Sequence, residues 1–162
     1  MPESKESTEP RSADAPIFKP VVDLLGGAKM LKCKLSGPLD AHELLLRGIP
    51  GAALTHLVDS LVLLHDPVSL EKAIGISLRT FQRRKANPTK LLSQEQSGRT
   101  WKFAEILAKA TAVFGSRTEA EQWLERPAIG LDRRRPIDLL ATTAGAEIVE
   151  NHLERIEYGV YM

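Results

Sequence analysis

The sequence predicts an all-α chain with a helix-turn-helix unit at its centre, and three observations carry that expectation. Apolar residues recur at three- and four-residue intervals in the longer segments, as in Leu54, Leu57, Val58, Leu61 and Leu64. Hydrophobic residues make up 43% of the chain but include only four Phe, two Trp and two Tyr, so a core must be mostly aliphatic, and the abundant Leu and Ala favour helix. Gly, Pro, Ser, Thr and Asp fall between these segments, where helix ends need them.

Residues 1 to about 20 mix Ser, Glu and Lys with Pro2, Pro10, Pro16 and Pro20, a composition that predicts disorder or a loosely attached arm. Val21–Leu25 and Met30–Leu35 are compatible with short helices or strands, broken by Gly26-Gly27 and Gly37-Pro38. Leu39–Arg47 reads as a short helix ended by Gly48, and Ala52 to about His65 as a longer one, broken at Asp66-Pro67. A helix over Ser69–Ile74 follows, with Ser69 as its cap and Glu71 in its first turn. Gly75 can take the positive φ that ends it, Ile76 fills the crossing, and Ser77 caps a helix from Leu78 to about Ala86, stopped by Asn87-Pro88. Ser93 offers a cap ahead of a helix over about Gly98–Phe114, closed by Gly115. Thr118 and Glu121 have capping-box spacing before Trp123 and Leu124, and Pro127 ends that segment. Pro136 suits a first helical position, and Thr142 or Thr143 caps a last helix with Ile148, Val149, His152, Leu153 and Ile156 on one face. The expected division is an arm over 1–38, a helix-turn-helix domain over 39–97 and a C-terminal domain over 98–162.

Charge is partitioned in a way that the net value of +1 conceals. From Leu78 through Lys102 there are seven basic residues, Arg79, Arg83, Arg84, Lys85, Lys90, Arg99 and Lys102, against one acid, Glu95. Leu78 and Phe81 share the face expected to be buried, leaving Arg79, Thr80, Gln82, Arg83, Arg84 and Lys85 as candidates for DNA contact. Arginines one turn apart reach one groove, bidentate to guanine edges or clamped on phosphates, while lysines suit phosphates. A Lys/Arg run is also what an ordinary solvated helix face looks like, and spacing alone does not separate the two.

Catalysis has little support. Cys33 is the single cysteine, and His42, His56, His65 and His152 lack metal-site spacing. There is no phosphate-cradling glycine motif and no catalytic dyad at local spacing, so a binding protein without cofactor is expected. No apolar run approaches the roughly 20 residues that span a bilayer, and the opening lacks a signal peptide's pattern, which predicts a cytoplasmic protein with no membrane partner. The final Tyr158-Gly159-Val160-Tyr161-Met162 is unusually apolar for a terminus; it either folds back on its own core or anchors a partner.

From about Asp66 to Met162 the chain resembles the Xre-type antitoxins that accompany RES-domain toxins, including the C-terminal domain shared by the Xre/MbcA/ParS group. Gly75-Ile76-Ser77, Thr80-Phe81-Gln82-Arg83-Arg84-Lys85, Val113-Phe114-Gly115 and Ala120-Glu121-Gln122-Trp123-Leu124 carry the resemblance. The strongest run is Gly130-Leu131-Asp132-Arg133-Arg134-Arg135-Pro136-Ile137-Asp138-Leu139-Leu140, completed by Thr142-Thr143-Ala144-Gly145 and Ile156-Glu157-Tyr158-Gly159-Val160-Tyr161. The resemblance implies an antitoxin that binds a cognate RES-domain, NAD-consuming toxin, occludes its active site, and represses its own operon as a dimer on a pseudo-palindromic operator. It implies Arg79, Gln82, Arg83, Arg84 and Lys85 at the DNA, and Arg133, Arg134, Arg135, Pro136, Tyr158, Gly159, Val160, Tyr161 and Met162 at the toxin. Asp132 departs from the Gly common there in relatives, which leaves the local turn less defined. The alternatives are a DNA-binding regulator without a toxin partner and a protein-binding scaffold that does not bind DNA.

Overall fold

A computed structural model describes residues 15–159. Among these residues there are ten α-helices and no strand, the extended pairing being confined to the isolated bridges Pro50–Leu91 and Ala128–Arg134. The order is α1 (Ala15–Leu24), α2 (Gly27–Leu31), α3 (Pro38–Arg47), α4 (Gly51–Ser60), a 3-10 turn (Val62–His65), α5 (Pro67–Ile74), α6 (Leu78–Ala86), α7 (Gln94–Phe114), α8 (Arg117–Glu125), a 3-10 turn (Ile129–Leu131), α9 (Pro136–Leu139) and α10 (Thr143–Glu157).

The spine is α7. Ser93 opens it with a capping box in which the Ser93 hydroxyl accepts from the Gln96 amide at 3.1 Å and the Gln96 side chain accepts from the Ser93 amide at 3.4 Å. Phe103, Ala104, Ile106, Leu107 and Ala110 are buried along it, and α1, α3, α5, α8 and α10 all pack on it. One continuous apolar core runs from Val21 to Leu153. The division expected at residues 97 and 98 falls inside this unbroken helix, so the two halves share a structural member.

Several local expectations shift by about one turn. Ser69 is not a cap: Asp66 caps α5, accepting from the Ser69 amide at 3.1 Å and the Ser69 hydroxyl at 2.9 Å, and Ser69 is buried. Thr118 is not a cap either; Ser116 caps α8, which frees Glu121 to accept from the Leu63 amide at 3.0 Å and so close the first 3-10 turn from a distant element. Thr142, rather than Thr143, caps α10. The helix expected to run to His65 stops at Ser60 and tightens into the 3-10 turn. On α10, Val149 and Leu153 are buried, His152 and Ile156 are half-buried, and Ile148 is exposed.

The N-terminal region departs most. Helix α1 covers residues expected to be a loose arm, and it packs on α7, with the Phe18 and Trp101 ring centroids 6.0 Å apart. Pro20 forfeits an intrahelical hydrogen bond at a cost of about 3 kcal/mol. Burial of Val21 and Leu25, worth roughly 1.5–3 kcal/mol each, offsets it.

Candidate nucleic-acid and partner-binding surfaces

The first surface is the pair α5 and α6. Gly75 ends α5 with φ 77°, Ile76 is buried in the crossing, and the Ser77 hydroxyl accepts from the Thr80 amide at 3.1 Å to start α6. Phe81 anchors α6 to the core. Leu78, expected beside it on the buried face, is 40% exposed at the first position of the helix. Phe81 is thus the one buried side chain of α6.

The candidates on α6 separate into groups. Arg79, Gln82 and Arg83 are exposed, and none of them makes an ion pair among the described residues. Lys85 is exposed and lies 3.4 Å from Asp59, a surface pair weak enough to be exchanged. Thr80 is half-buried and its hydroxyl accepts from Ser77 at 3.0 Å, so its first task is to close the turn. Arg84 is half-buried and reaches back to α7, with Nη2 3.3 Å from the Gln96 Oε1.

Two other cations of the basic segment also turn inward. The Arg99 guanidinium passes over Gly75 and donates from Nη2 to the Lys72 carbonyl at 2.7 Å and the Leu140 carbonyl at 3.2 Å, so it ties the end of α5 to the end of α9. Any Cβ at Gly75 would collide with that guanidinium, which adds a spatial reason for glycine to the positive φ. Lys102 lies 3.0 Å from Glu150, which Lys109 also meets at 2.8 Å. Burial alone would raise the Glu150 carboxyl, and hydrogen bonds from Lys109 and Lys102 more than offset it, leaving it below its usual range. This cluster locks α10 to α7 and pairs Lys102 with an acid.

The second surface lies at the other end of the chain. Residues 128–134 close a tight loop in which the Arg133 amide donates to the Ala128 carbonyl at 2.8 Å and the Ala128 amide to the Arg134 carbonyl at 3.1 Å. Asp132 and Arg133 adopt φ 58° and 61°, consecutive left-handed positions that favour glycine. The loop rests on α10: the His152 ring packs against Gly130 and stacks on Trp123, centroids 6.1 Å apart and planes 10° apart.

The expected partner-binding residues divide here as well. Arg133 and Arg134 are exposed, and neither makes an ion pair among the described residues. Arg135 is half-buried and forms a two-point bridge to Asp138, Nε to Oδ2 at 3.0 Å and Nη2 to Oδ1 at 2.9 Å. That hydrogen-bonded bridge holds the Asp138 carboxyl below its usual range and the guanidinium above its own. Pro136 is buried at the start of α9. Arg135 and Pro136 therefore frame the loop, while Arg133 and Arg134 project from it. Tyr158 is 76% exposed and Gly159 follows with φ 64°; Val160, Tyr161 and Met162 lie outside the described residues. Sequence reasoning passed over Ile129, which is 90% exposed within this loop, because no local periodicity marks a lone isoleucine in a turn.

Among the described residues no three His, Cys, Asp or Glu side chains gather as a metal site, and no helix is long and apolar enough to cross a membrane. The fold and its two surfaces define an all-α helix-turn-helix protein carrying an appended helical binding domain. Residues 40–105 match the Antitoxin Xre-like helix-turn-helix domain, and residues 109–159 match the Antitoxin Xre/MbcA/ParS C-terminal toxin-binding domain. The chain is similar to Antitoxin Xre of Yersinia enterocolitica, 31% identical over 129 residues that cover 70% of this chain and 86% of that protein. It is also similar to Antitoxin Xre of Pseudomonas putida, 30% identical over 126 residues covering 78% and 76%. Antitoxin Xre of Photorhabdus laumondii is 36% identical over 87 residues, a match that spans 53% of this chain and 58% of that relative. The chain belongs to the Xre antitoxin family, a family of binding proteins rather than enzymes.

Proposed function

We propose that this protein is a type II antitoxin that neutralises a RES-domain, NAD-degrading toxin by occluding its active site, and that it represses its own operon by binding operator DNA. The observation that supports this best is the coexistence, on one core, of an exposed cationic α6 and of exposed Arg133, Arg134 and Tyr158 in the C-terminal part of the chain. Arg79, Gln82 and Arg83 face the major groove, with Thr80, Arg84 and Lys85 supporting or flanking them. Arg133 and Arg134, on a loop framed by Arg135 and Pro136, contact the toxin together with the segment Tyr158, Gly159, Val160, Tyr161 and Met162. A homodimer in the cytoplasm presents two copies of α6 to a pseudo-palindromic operator, because one helix discriminates only a few base pairs. The antitoxin blocks NAD access to its partner and catalyses nothing itself.

The test is co-expression with the product of the neighbouring gene, which this reading requires to be a RES-domain protein. Removal of residues 158–162 is expected to abolish growth rescue and co-purification while leaving operator binding nearly intact; unchanged rescue refutes the terminal anchor. Arg79→Ala with Arg83→Ala is expected to weaken operator binding and flatten its salt dependence while leaving rescue unchanged. Operator binding that survives both changes refutes the assignment of α6 to DNA.

A further inference from the structure

At the C-terminal end of α6, Arg83, Arg84, Asn87 and Lys90 line a concavity of about 200 Å³. Its lining holds three cations and an amide, with no acid. Arg83 and Lys90 are exposed and make no ion pair among the described residues. Arg84 brings its charge to the wall while its Nη2 donates to the Gln96 Oε1 at 3.3 Å, and the Asn87 Nδ2 contact with the Arg83 carbonyl is stretched to 3.5 Å. Donors therefore exceed acceptors here, an imbalance that an oxyanion corrects.

The backbone around the concavity is held in place from below. The first amides of α4 take the local carbonyls: Gly51 donates to Lys90 at 2.9 Å and Ala52 to Pro88 at 3.0 Å, while Lys90 donates to Asn87 at 3.1 Å. A Cβ at Gly51 would come within 3.2 Å of the Lys90 carbonyl, 3.3 Å of the Asn87 carbonyl and 3.4 Å of the Arg84 carbonyl. Glycine thus lets α4 sit directly beneath the turn. The carbonyls of Pro88 and Lys90 are turned onto α4, so they do not oppose an anion above, and Asn87 and Lys90 are fixed relative to α6.

We propose that this concavity seats one phosphate of the DNA backbone, a sequence-independent clamp made by Arg83, Arg84, Asn87 and Lys90 that sets the register of α6. A phosphodiester offers two unesterified oxygens with several lone pairs, which suits planar guanidinium forks and a flexible ammonium together. The clamp gives Asn87 and Lys90 a role, assigns the flanking Arg84 to phosphate and moves Arg83 from base reading to phosphate holding; Arg79 and Gln82 remain at base edges. This inference rests on the DNA-binding reading of α6.

The experiment measures binding of the full chain to operator DNA and to an unrelated duplex across a salt series, for the wild type, Lys90→Gln, Arg84→Gln and Arg79→Ala. Lys90→Gln is expected to weaken both duplexes by the same factor and to lower the magnitude of the log K against log salt slope by about 0.9. Arg84→Gln is expected to do the same, with thermal unfolding reporting whether it folds; Lys90→Gln, on an exposed side chain, decides if it does not. Arg79→Ala is expected to reduce preference for the operator over the unrelated duplex. An unchanged slope in Lys90→Gln overturns the clamp, as does a loss confined to the operator, which would make Lys90 a base reader. Saturable phosphorus-NMR binding of inorganic phosphate that Lys90→Gln abolishes without altering the DNA slope assigns the concavity to a free anion and overturns the proposal. A wild type that binds neither duplex defeats the DNA-binding reading itself, a result distinct from a wild type that binds with a Lys90-independent slope.

Discussion

Arg99→Ala probes whether the two halves of the chain fold as one unit. The side chain leaves α7 and bridges the Lys72 carbonyl at the end of α5 and the Leu140 carbonyl at the end of α9. Hydrogen bonds from a charged donor contribute about 1.5–3 kcal/mol each. The bond to Lys72 is open to solvent, where water can replace the lost donor, and the bond to Leu140 is partly buried. The expected loss is therefore about 2–4 kcal/mol for the pair, a large share of the roughly 5–15 kcal/mol by which domains are stable. Urea unfolding followed by tryptophan fluorescence and by far-ultraviolet circular dichroism measures it, since Trp101 sits in α7 and Trp123 in α8. Both signals are expected to shift together to lower urea, and Arg99→Lys, which keeps the charge but not the fork, is expected to fall between. A loss under about 0.5 kcal/mol, the scale of an ordinary surface change, refutes the bridge. Transitions that separate in the wild type refute the shared unit.

Arg133→Gly is expected to stabilise the fold by roughly 0.5–1 kcal/mol, because relief of a left-handed arginine, worth about 1–2 kcal/mol, exceeds the added chain entropy of glycine. The same change is expected to weaken toxin neutralisation, and a destabilised variant in urea would contradict the loop geometry. Asp66→Ala is expected to cost about 1 kcal/mol of stability by removing the cap of α5, a loss measurable by thermal or chemical unfolding. Burial, then the nearby Arg155 charge, pushes the His152 imidazole below its ordinary value of 6.5. The unfolded chain then binds the proton first, so His152 contributes stability above pH 6.5 that is lost as pH falls through the folded value. His152→Phe, which preserves a stack on Trp123, is expected to flatten the stability profile on the acid side; an unchanged profile would show that the half-buried ring does not titrate there.

The features legible in the sequence were those set by neighbours along the chain. Gly75 and Ser77 mark the turn of the helix-turn-helix because a positive φ and a capping hydroxyl are local requirements, and both hold. Ser69 and Thr118 misled for a related reason. Asp66 and Ser116 offer equally good caps a few residues earlier, and burial of Ser69 and the reach of Glu121 to Leu63 favoured the earlier starts. The proline-rich composition around residues 15–20 hid an apolar stripe that becomes a helix only because α7 supplies a surface for it.

By itself the sequence determined that the chain is helical, that a glycine turn precedes a basic helix, and that arginines cluster before Pro136, since each depends on residue type and short spacing. Only the tertiary structure decided where the charges go. Arg99 and Lys102 look like Arg79 and Arg83 in a string of letters, yet Arg99 is spent on carbonyls of α5 and α9 and Lys102 on Glu150. A guanidinium or ammonium on a long side chain takes the nearest acceptor in space, and that acceptor is chosen by packing between helices far apart in the chain.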